Sequence, residues 1–136
     1  MNNAERLEKL DSILDELLEM PSDRVLLVEG IKDRMAMVLL GVNGKIICVQ
    51  AEGGPLRIAE RLHIENLSAV IMTDWDPKGE GIAKELVRYL SSLCVKHDIS
   101  IRSRLRSLCG GEIRDVQSLP SLYCRLVTEA VRKKES

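Results

Sequence analysis

Residues 68–79, with the sequence SAVIMTDWDPKG, join a short apolar run to a polar turn that holds two aspartates and a glycine. The run from Ser68 to Thr73 is almost continuously apolar, which is typical of a strand buried on both faces of a parallel sheet. From Gly79 to about Lys96, apolar side chains recur at helical spacing. The stretch therefore predicts a strand, a turn and a helix, which is the repeating unit of an α/β fold.

Similar units organise most of the remaining chain. Apolar runs of the same kind occupy residues 24–28 and 45–50, and helical spacing recurs over residues 31–40 and 56–62. Residues 99–106 alternate in period two, which predicts a fourth strand. Strands that alternate with helices in this way predict an α/β fold whose mostly parallel four-stranded sheet carries helices on both faces.

Both ends of the chain are predicted to be helical. Leucines at three- and four-residue steps give residues 4–20 the stripe of an amphipathic helix. A final helix is predicted over residues 121–132, and the glycine-containing stretch 107–117 is the candidate flexible loop. With 136 residues, one domain is expected. It comprises an N-terminal helical segment, residues 1–22, and an α/β part with a C-terminal helix, residues 23–136.

The charge and aromatic content of the chain limit how it could bind a nucleic acid. Twenty basic against 21 acidic residues leave a formal charge of −1, so the chain lacks the positive field with which unassisted nucleic-acid binders gather phosphates. Its aromatic residues are Trp75, Tyr89 and Tyr123, too few for a platform that stacks bases. Any RNA or DNA is therefore expected to be bound with the help of a partner protein.

Cysteine usage and hydropathy predict a cytoplasmic protein without a zinc site. The four cysteines form no CxxC pair, and the two histidines are not spaced as a metal pair. Scattered cysteines of this kind usually behave as small buried apolar residues. No apolar run approaches the roughly 18–20 residues that span a bilayer, and residues 1–6 do not resemble a secretory signal. No membrane association is expected.

Acidic side chains follow the first and third predicted strands. Glu29 follows one strand, and Asp74 and Asp76 follow the other. The carboxyl ends of neighbouring parallel strands meet at one edge of the sheet, where ligands bind, so we expect these carboxylates to converge. Their repulsion, roughly 3 kcal/mol per pair at a separation of about 5 Å, calls for a counter-charge. Oxygen ligands without His or Cys favour Mg²⁺, with Mn²⁺ as the alternative.

The same acidic residues fit three other roles at the level of sequence. Asp76 before Pro77 is typical of a residue that caps a helix. Residues 74–85 approach the pattern of a calcium-binding loop, although Lys78 occupies its fifth position. A strand that ends in Asp-x-Asp also begins phosphatases in which the first aspartate, here Asp74, attacks phosphorus.

Two motifs resemble those of the Toprim domain, the catalytic module of primases, topoisomerases, OLD-type nucleases and the endonuclease that matures 5S ribosomal RNA. The first is residues 25–33, VLLVEGIKD, and the second is residues 74–79, DWDPKG. The resemblance spans roughly residues 24–106, and its Glu-Gly-x-x-Asp form is closer to primases and the maturation endonuclease than to topoisomerases. It implies a Rossmann-like Toprim fold, as in the small stand-alone Toprim proteins of archaea and bacteria.

The resemblance implies that Asp74 and Asp76 bind Mg²⁺, and that Glu29 acts as general acid or base or completes the metal site. Such sites serve phosphoryl transfer, in which a cation neutralises charge on the phosphate oxygens. The function expected is Mg²⁺-dependent phosphodiester chemistry on RNA or DNA, of the nuclease type. The alternative is a non-catalytic metal-binding adaptor within a nucleic-acid-processing complex.

Residues beside the two motifs are candidates for contact with phosphate or substrate. Gly30 and Gly79 would let the backbone approach a phosphate closely. Lys32 and Lys78 are either phosphate ligands or solvated surface. Asp33 either orients the site or caps its own helix.

Arginines of the fourth predicted strand are further candidates. Arg102, Arg104 and Arg106 would project from one face of that strand. There they either follow a phosphate backbone or keep an edge strand from aggregating. The amphipathic helix of residues 4–20 is the candidate surface for a partner protein or for a homo-oligomer.

Overall fold

The computed structural model describes residues 1–135 and has an α/β fold around a four-stranded, all-parallel sheet. The strands are β1 (Arg24–Val28), β2 (Ile46–Cys48), β3 (Ser68–Ile71) and β4 (His97–Asp98), in the order β2-β1-β3-β4. The helices are α1 (Asn3–Leu18), α2 (Ile31–Leu39), α3 (Pro55–Glu65), α4 (Pro77–Ser92), α5 (Ser100–Cys109) and α6 (Leu119–Glu135), and a 3-10 helix covers Val116–Ser118. The predicted α/β class, with its parallel sheet and N-terminal helix, is confirmed.

Two apolar layers cover the two faces of the sheet. Val25 and Leu27 of β1 pack in the layer beneath α3 and α4, whereas Leu26 and Val28 pack in the layer formed with α1, α2, α5 and α6. All four side chains are buried. A central strand covered on both faces has no solvent side, which is why the apolar runs in the sequence are continuous rather than alternating.

The leucine stripe of α1 is part of the core. Leu10, Leu14 and Leu17 are 1%, 6% and 1% exposed, and α1 packs against α5 and α6. The predicted amphipathic helix is therefore present, but its apolar face is covered by the chain itself. The interpretation of this face as a free surface for a partner or a second copy was wrong, since docking there would require the core to open.

Residues 99–106 are not a strand, contrary to the sequence-based prediction. The fourth strand is the short β4, and α5 begins immediately after it. Asp98 Oδ1 accepts hydrogen bonds from the amide nitrogens of Ser100 at 2.6 Å and Ile101 at 3.3 Å, which stabilises the start of the helix. Ile101 and Leu105, four residues apart, are both buried, as one helical face requires.

The proposed arginine ladder is therefore absent from the described chain, because side chains two apart diverge on a helix. Arg102 is buried and 3% exposed. Arg104 is bound by both carboxylate oxygens of Glu16 on α1, at 2.5 and 2.8 Å. Arg106 pairs with Glu80 at 3.0 Å. Neither Arg102 nor Arg104 is free to follow a phosphate backbone in this structure.

The stretch 107–117 is also more ordered than a flexible loop. Its first residues complete α5, and Val116 begins the 3-10 helix that leads into α6. The final helix begins at Leu119, two residues before its predicted start. Within residues 1–135, every helix is too short or too polar to cross a bilayer.

The burial of α1 can be tested with two leucines of that helix. Leu10→Ala should lower the free energy of unfolding by about 2–5 kcal/mol, because it leaves a cavity in the core. Leu18→Ala is the matched control, since Leu18 is 42% exposed, and should cost no more than about 1 kcal/mol. Urea unfolding followed by circular dichroism measures both. Equal effects of the two substitutions would contradict the packing of α1.

Candidate functional site

Glu29 and Asp74 meet at the carboxyl ends of two neighbouring strands. Glu29 directly follows β1, Asp74 lies three residues beyond β3, and these strands pair in parallel. Glu29 Oε2 accepts a hydrogen bond of 2.7 Å from the backbone nitrogen of Asp74. The structure thus brings together the two motifs that are 45 residues apart in sequence.

The two carboxyl groups also lie within hydrogen-bonding reach of each other. Burial, together with the neighbouring Asp74 and Asp33, raises the pKa of Glu29 to about 7 against the lowering effect of the Asp74 N–H. Burial likewise raises the pKa of Asp74, while hydrogen bonds from Val116 and Glu29 oppose that rise. Two carboxyl groups can bond to each other only through a shared proton, which the raised pKa values of both groups favour.

Asp33 closes the first turn of α2. Its Oδ2 accepts a hydrogen bond of 3.1 Å from the backbone nitrogen of Gly30, and the residue is 8% exposed. Burial and, next, the charge of Asp74 raise the pKa of Asp33. Of the two roles considered for Asp33, the structure shows the cap, and the buried carboxyl adds a third acidic group near the Glu29–Asp74 pair.

Asp76 caps α4. Its Oδ1 accepts a hydrogen bond of 2.7 Å from the backbone nitrogen of Gly79, with Pro77 as the first helical residue. This is the capping role that the sequence left open. The second oxygen of Asp76 has no hydrogen-bond donor among residues 1–135 and is the part of this side chain that a ligand could use.

A segment that sequence reasoning treated as loop crosses the Asp74–Asp76 turn. The backbone nitrogen of Val116 donates to Asp74 Oδ1 at 2.8 Å. The indole nitrogen of Trp75 donates to the carbonyl of Ile113 at 2.6 Å, and the Trp75 amide donates to the carbonyl of Arg114 at 3.0 Å. These three bonds fix the orientation of the turn and of the Asp74 carboxyl group.

The same segment supplies a further carboxylate, Asp115, which sequence reasoning missed. Its charge contributes to the raised pKa of both Asp33 and Asp74. Its Oδ1 accepts a hydrogen bond of 2.8 Å from the backbone nitrogen of Ser118, as a cap of the 3-10 helix. An Asp commonly caps backbone amides two or three residues ahead of it, and that was the one signal available in the sequence.

Arg102 supports the turn from beneath. Its Nε donates to the carbonyl of Thr73 at 2.9 Å and its Nη2 to the carbonyl of Asp74 at 2.6 Å. Glu80 Oε1 lies 3.2 Å from Arg102 and 3.0 Å from Arg106, in ion pairs that lack hydrogen-bond geometry. Arg102 therefore contacts the backbone that carries Asp74 rather than solvent or substrate.

The two motif glycines differ in their surroundings. A Cβ at Gly79 would lie 1.9 Å from the carbonyl oxygen of Asp74, which is a direct clash with backbone. A Cβ at Gly30 would have only the side chain of Gln50 within 4 Å, at 3.9 Å. Gly79 is thus required by the close packing of the turn on α4, whereas Gly30 leaves open space beside Glu29.

Exposed cations border the acidic groups. Lys32 and Lys78 lie in the first turns of α2 and α4, and Arg114 lies in the crossing segment. Among residues 1–135 none of the three has an ion-pair partner. We call Lys32, Lys78 and Arg114 the basic rim, because they lie on the segments that carry the acidic groups; their charge favours an anionic ligand.

The fit of a metal ion rests on the carboxyl pair rather than on a complete ligand set. Within residues 1–135, no three His, Cys, Asp or Glu side chains are arranged as a finished metal-binding group. The Glu29–Asp74 pair supplies hard oxygen donors, and a divalent cation beside it would offset the repulsion between the two groups.

Comparison with known proteins gives relatives and a fold neighbour. No family model matches the chain. It is 32% identical over 122 residues to a UPF0292 protein of Methanosarcina acetivorans, covering 89% of this chain and 84% of the relative. It is 33% identical over 122 residues to a UPF0292 protein of Thermococcus sibiricus, covering 90% and 94%. A solved structure from Aquifex aeolicus shares the fold with a TM-score of 0.68 and 22% identity, covering 81% of this chain and 97% of that one.

The close packing at Gly79 predicts unequal effects of two alanine substitutions in α4. Gly79→Ala should lower the free energy of unfolding by at least about 2 kcal/mol, because the new methyl group meets backbone that cannot move aside. Gly81→Ala is the control, since a Cβ there meets nothing within 4 Å, and should raise stability by about 0.5–1 kcal/mol. Urea unfolding measures both, and a tolerated Gly79→Ala would contradict the geometry of the turn.

The raised pKa of Glu29 predicts a pH dependence of stability. The ordinary value is 4.5 and the folded value is about 7, so the folded protein binds this proton more tightly than the unfolded chain does. The contribution of Glu29 to stability is fully present below pH 4.5 and is lost as pH rises through about 7. Glu29→Gln should flatten the fall in urea midpoint over this window. The exposed Glu85 serves as control, and Glu85→Gln should keep the slope of the parent protein.

Proposed function

The chain belongs to the UPF0292 family, and from its carboxylate site we propose that it performs Mg²⁺-dependent phosphodiester chemistry on RNA or DNA, as a nuclease of the Toprim type. The observation that carries this proposal is the Glu29–Asp74 pair at the carboxyl ends of two adjacent parallel strands. Burying two carboxyl groups side by side costs free energy unless a proton or a cation lies between them. A site that stores this repulsion is suited to a divalent cation.

Asp74 and Asp76 are the residues that would hold Mg²⁺, or Mn²⁺ in its place. Val116 orients Asp74 Oδ1 and Gly79 orients Asp76 Oδ1, which leaves the second oxygen of Asp76 for a ligand. A cation bound there would supply positive charge to a phosphoryl group and lower the pKa of a bound water. The calcium-loop role receives no support from the fold, because Asp74 follows a strand, whereas such a loop follows a helix.

Glu29 is the proposed general acid or base. Its pKa of about 7 places the group near half protonation at neutral pH, which suits proton transfer in either direction. Oε2 is held by the backbone nitrogen of Asp74, which leaves Oε1 to accept a proton from an attacking water or to return one to a leaving oxygen. The surrounding burial restricts the water that could compete for that proton.

The basic rim is the proposed phosphate contact. Lys32 and Lys78 begin the two helices that flank the carboxyl pair, and Arg114 lies on the segment that crosses the turn. The space beside Gly30 would admit a phosphate to this corner. Three cations on a chain of net charge −1 give a weak field, so tight binding of RNA or DNA would depend on a partner protein.

A non-catalytic adaptor that binds metal is the second candidate. The observation in its favour is that one oxygen of Asp76 is already engaged as the cap of α4. In that case the carboxyl pair would bind a cation and an anionic partner without turnover.

Conservative substitutions in the site distinguish the two candidates. Asp74→Asn keeps an oxygen for the Val116 N–H but removes the negative charge, and should abolish Mg²⁺ binding and cleavage of a structured RNA or a DNA duplex. Glu29→Gln should lower the cleavage rate by about 10²–10⁴-fold at a stability no lower than that of the parent protein.

Calorimetric titration with Mg²⁺ and a gel-based cleavage assay are the measurements, with Glu85→Gln as control. Cation binding without cleavage of any nucleic acid would favour the adaptor. Cleavage that survives Asp74→Asn would remove the proposed mechanism altogether.

A further inference from the structure

Helix α2 has a second apolar face that the fold does not bury. Ile31, Met35, Val38 and Leu39 are 68%, 60%, 56% and 76% exposed. At 100° per residue these four side chains fall within about 100° of arc, and we call them the apolar ridge. The opposite face of the same helix packs in the core. Four large apolar side chains exposed on a nine-residue helix are more than chance surface exposure accounts for.

Two cations flank the ridge. Lys32 and Arg34 lie on opposite sides of it, about 160° apart around the helix axis. Both are exposed, and neither has an ion-pair partner within residues 1–135. Asp33, the one acidic residue of α2, is buried and bonded to Gly30, so the exposed surface of the helix is apolar at its centre and positive at both margins.

A cavity adjoins the ridge at its C-terminal end. It has a volume of about 260 Å³ and lies between α2 and the chain that leads into β2. Val38, Val42 and Ile46 line its apolar part, and Arg34 lies at its margin. A cavity of about 150 Å³ can hold a benzene molecule, so this one has room for a large side chain of a partner.

We propose that the apolar ridge and the adjoining cavity bind an amphipathic helix of a partner protein whose flanks are acidic. Apolar side chains spaced as i, i+4 and i+7 would cover the ridge, with one of them in the cavity, as in helix-in-groove recognition. Carboxylates on the two flanks would pair with Lys32 and Arg34. A nucleic acid would not bury this ridge, because it presents phosphates rather than apolar side chains.

Charge also argues against a second copy of the chain as the occupant. Two α2 helices packed across a twofold axis would bring one Lys32 and Arg34 pair towards the other. The exposed surface of α2 offers no acidic group to offset this repulsion. The docking surface shares Lys32 with the proposed phosphate contact, and α2 begins two residues after Glu29; the test below changes neither residue and requires no phosphodiester activity.

Two synthetic helical peptides test the proposal on the full chain. Both carry leucines at i, i+4 and i+7; one has glutamates on its flanks and the other has lysines. Nitrogen-15 NMR titration should show shifts in residues 31–46 with the acidic peptide and little change with the basic one. Val38→Glu should lower the affinity for the acidic peptide by at least about tenfold. Val131→Glu is the matched control, since Val131 on α6 is 49% exposed, and should bind as the parent does.

Charge reversal separates the ionic part of the contact. Arg34→Glu should lower the affinity for the acidic peptide and raise the affinity for the basic one, whereas Lys84→Glu on α4 should alter neither affinity. Circular dichroism confirms that each variant is folded. Equal binding of both peptides, or shifts that avoid residues 31–46, would overturn the proposal. Two further results would also overturn it: a dimer of the parent chain in sedimentation that Val38→Glu abolishes, or binding of the parent chain to anionic vesicles that Val38→Glu abolishes. Each would identify a different occupant of the ridge.

Discussion

The hydrogen-bond ladder between β1 and β3 ends on a side chain, the Glu29 carboxylate, instead of a backbone carbonyl. The site depends on this side-chain hydrogen bond. The ladder includes the Met72 amide bonded to the Leu27 carbonyl at 2.8 Å. Two residues further on, the Asp74 amide bonds to the carboxylate of Glu29 at 2.7 Å, where regular parallel pairing would use a backbone carbonyl. The Glu29 carbonyl instead accepts from Gln50, beyond β2, at 3.3 Å. Strand pairing therefore determines how close the two carboxyl groups lie.

The polypeptide around this point compensates for the charge that it concentrates. Arg102 binds the carbonyls of Thr73 and Asp74 from the core side, so a buried positive charge lies beneath the acidic groups. Glu80 forms an ion pair with Arg102. Without this partner, the buried charge of Arg102 would destabilise the fold. The backbone that carries Asp74 is thus supported from the core side by an ion-paired arginine.

Most of the fold could be predicted from the sequence because buried parallel strands have an unmistakable pattern. The runs before Glu29 and Asp74 are apolar at nearly every position. Because the two residues follow adjacent parallel strands, their proximity could also be predicted. The error at residues 99–106 arose because Ile101 and Leu105 fit both period two and helical spacing. Period two then placed three arginines on one face, although the helix directs Arg102 and Arg106 towards Glu80 and Arg104 towards Glu16. Asp115 escaped notice because its proximity to Asp74 arises from tertiary packing across 41 positions.

The segment that crosses the Asp74–Asp76 turn also defines the smallest piece of this protein that could keep its site. The motif resemblance ends near residue 106, yet the donor to Asp74 Oδ1 is Val116, and the acceptor for the Trp75 indole is Ile113. A fragment cut after α5 would keep every strand and both motifs while freeing the turn from its three outer bonds. The unit that folds with this arrangement of the turn therefore extends at least into the 3-10 helix, and the boundaries of the motifs are narrower than those of the structural unit that holds the carboxyl pair.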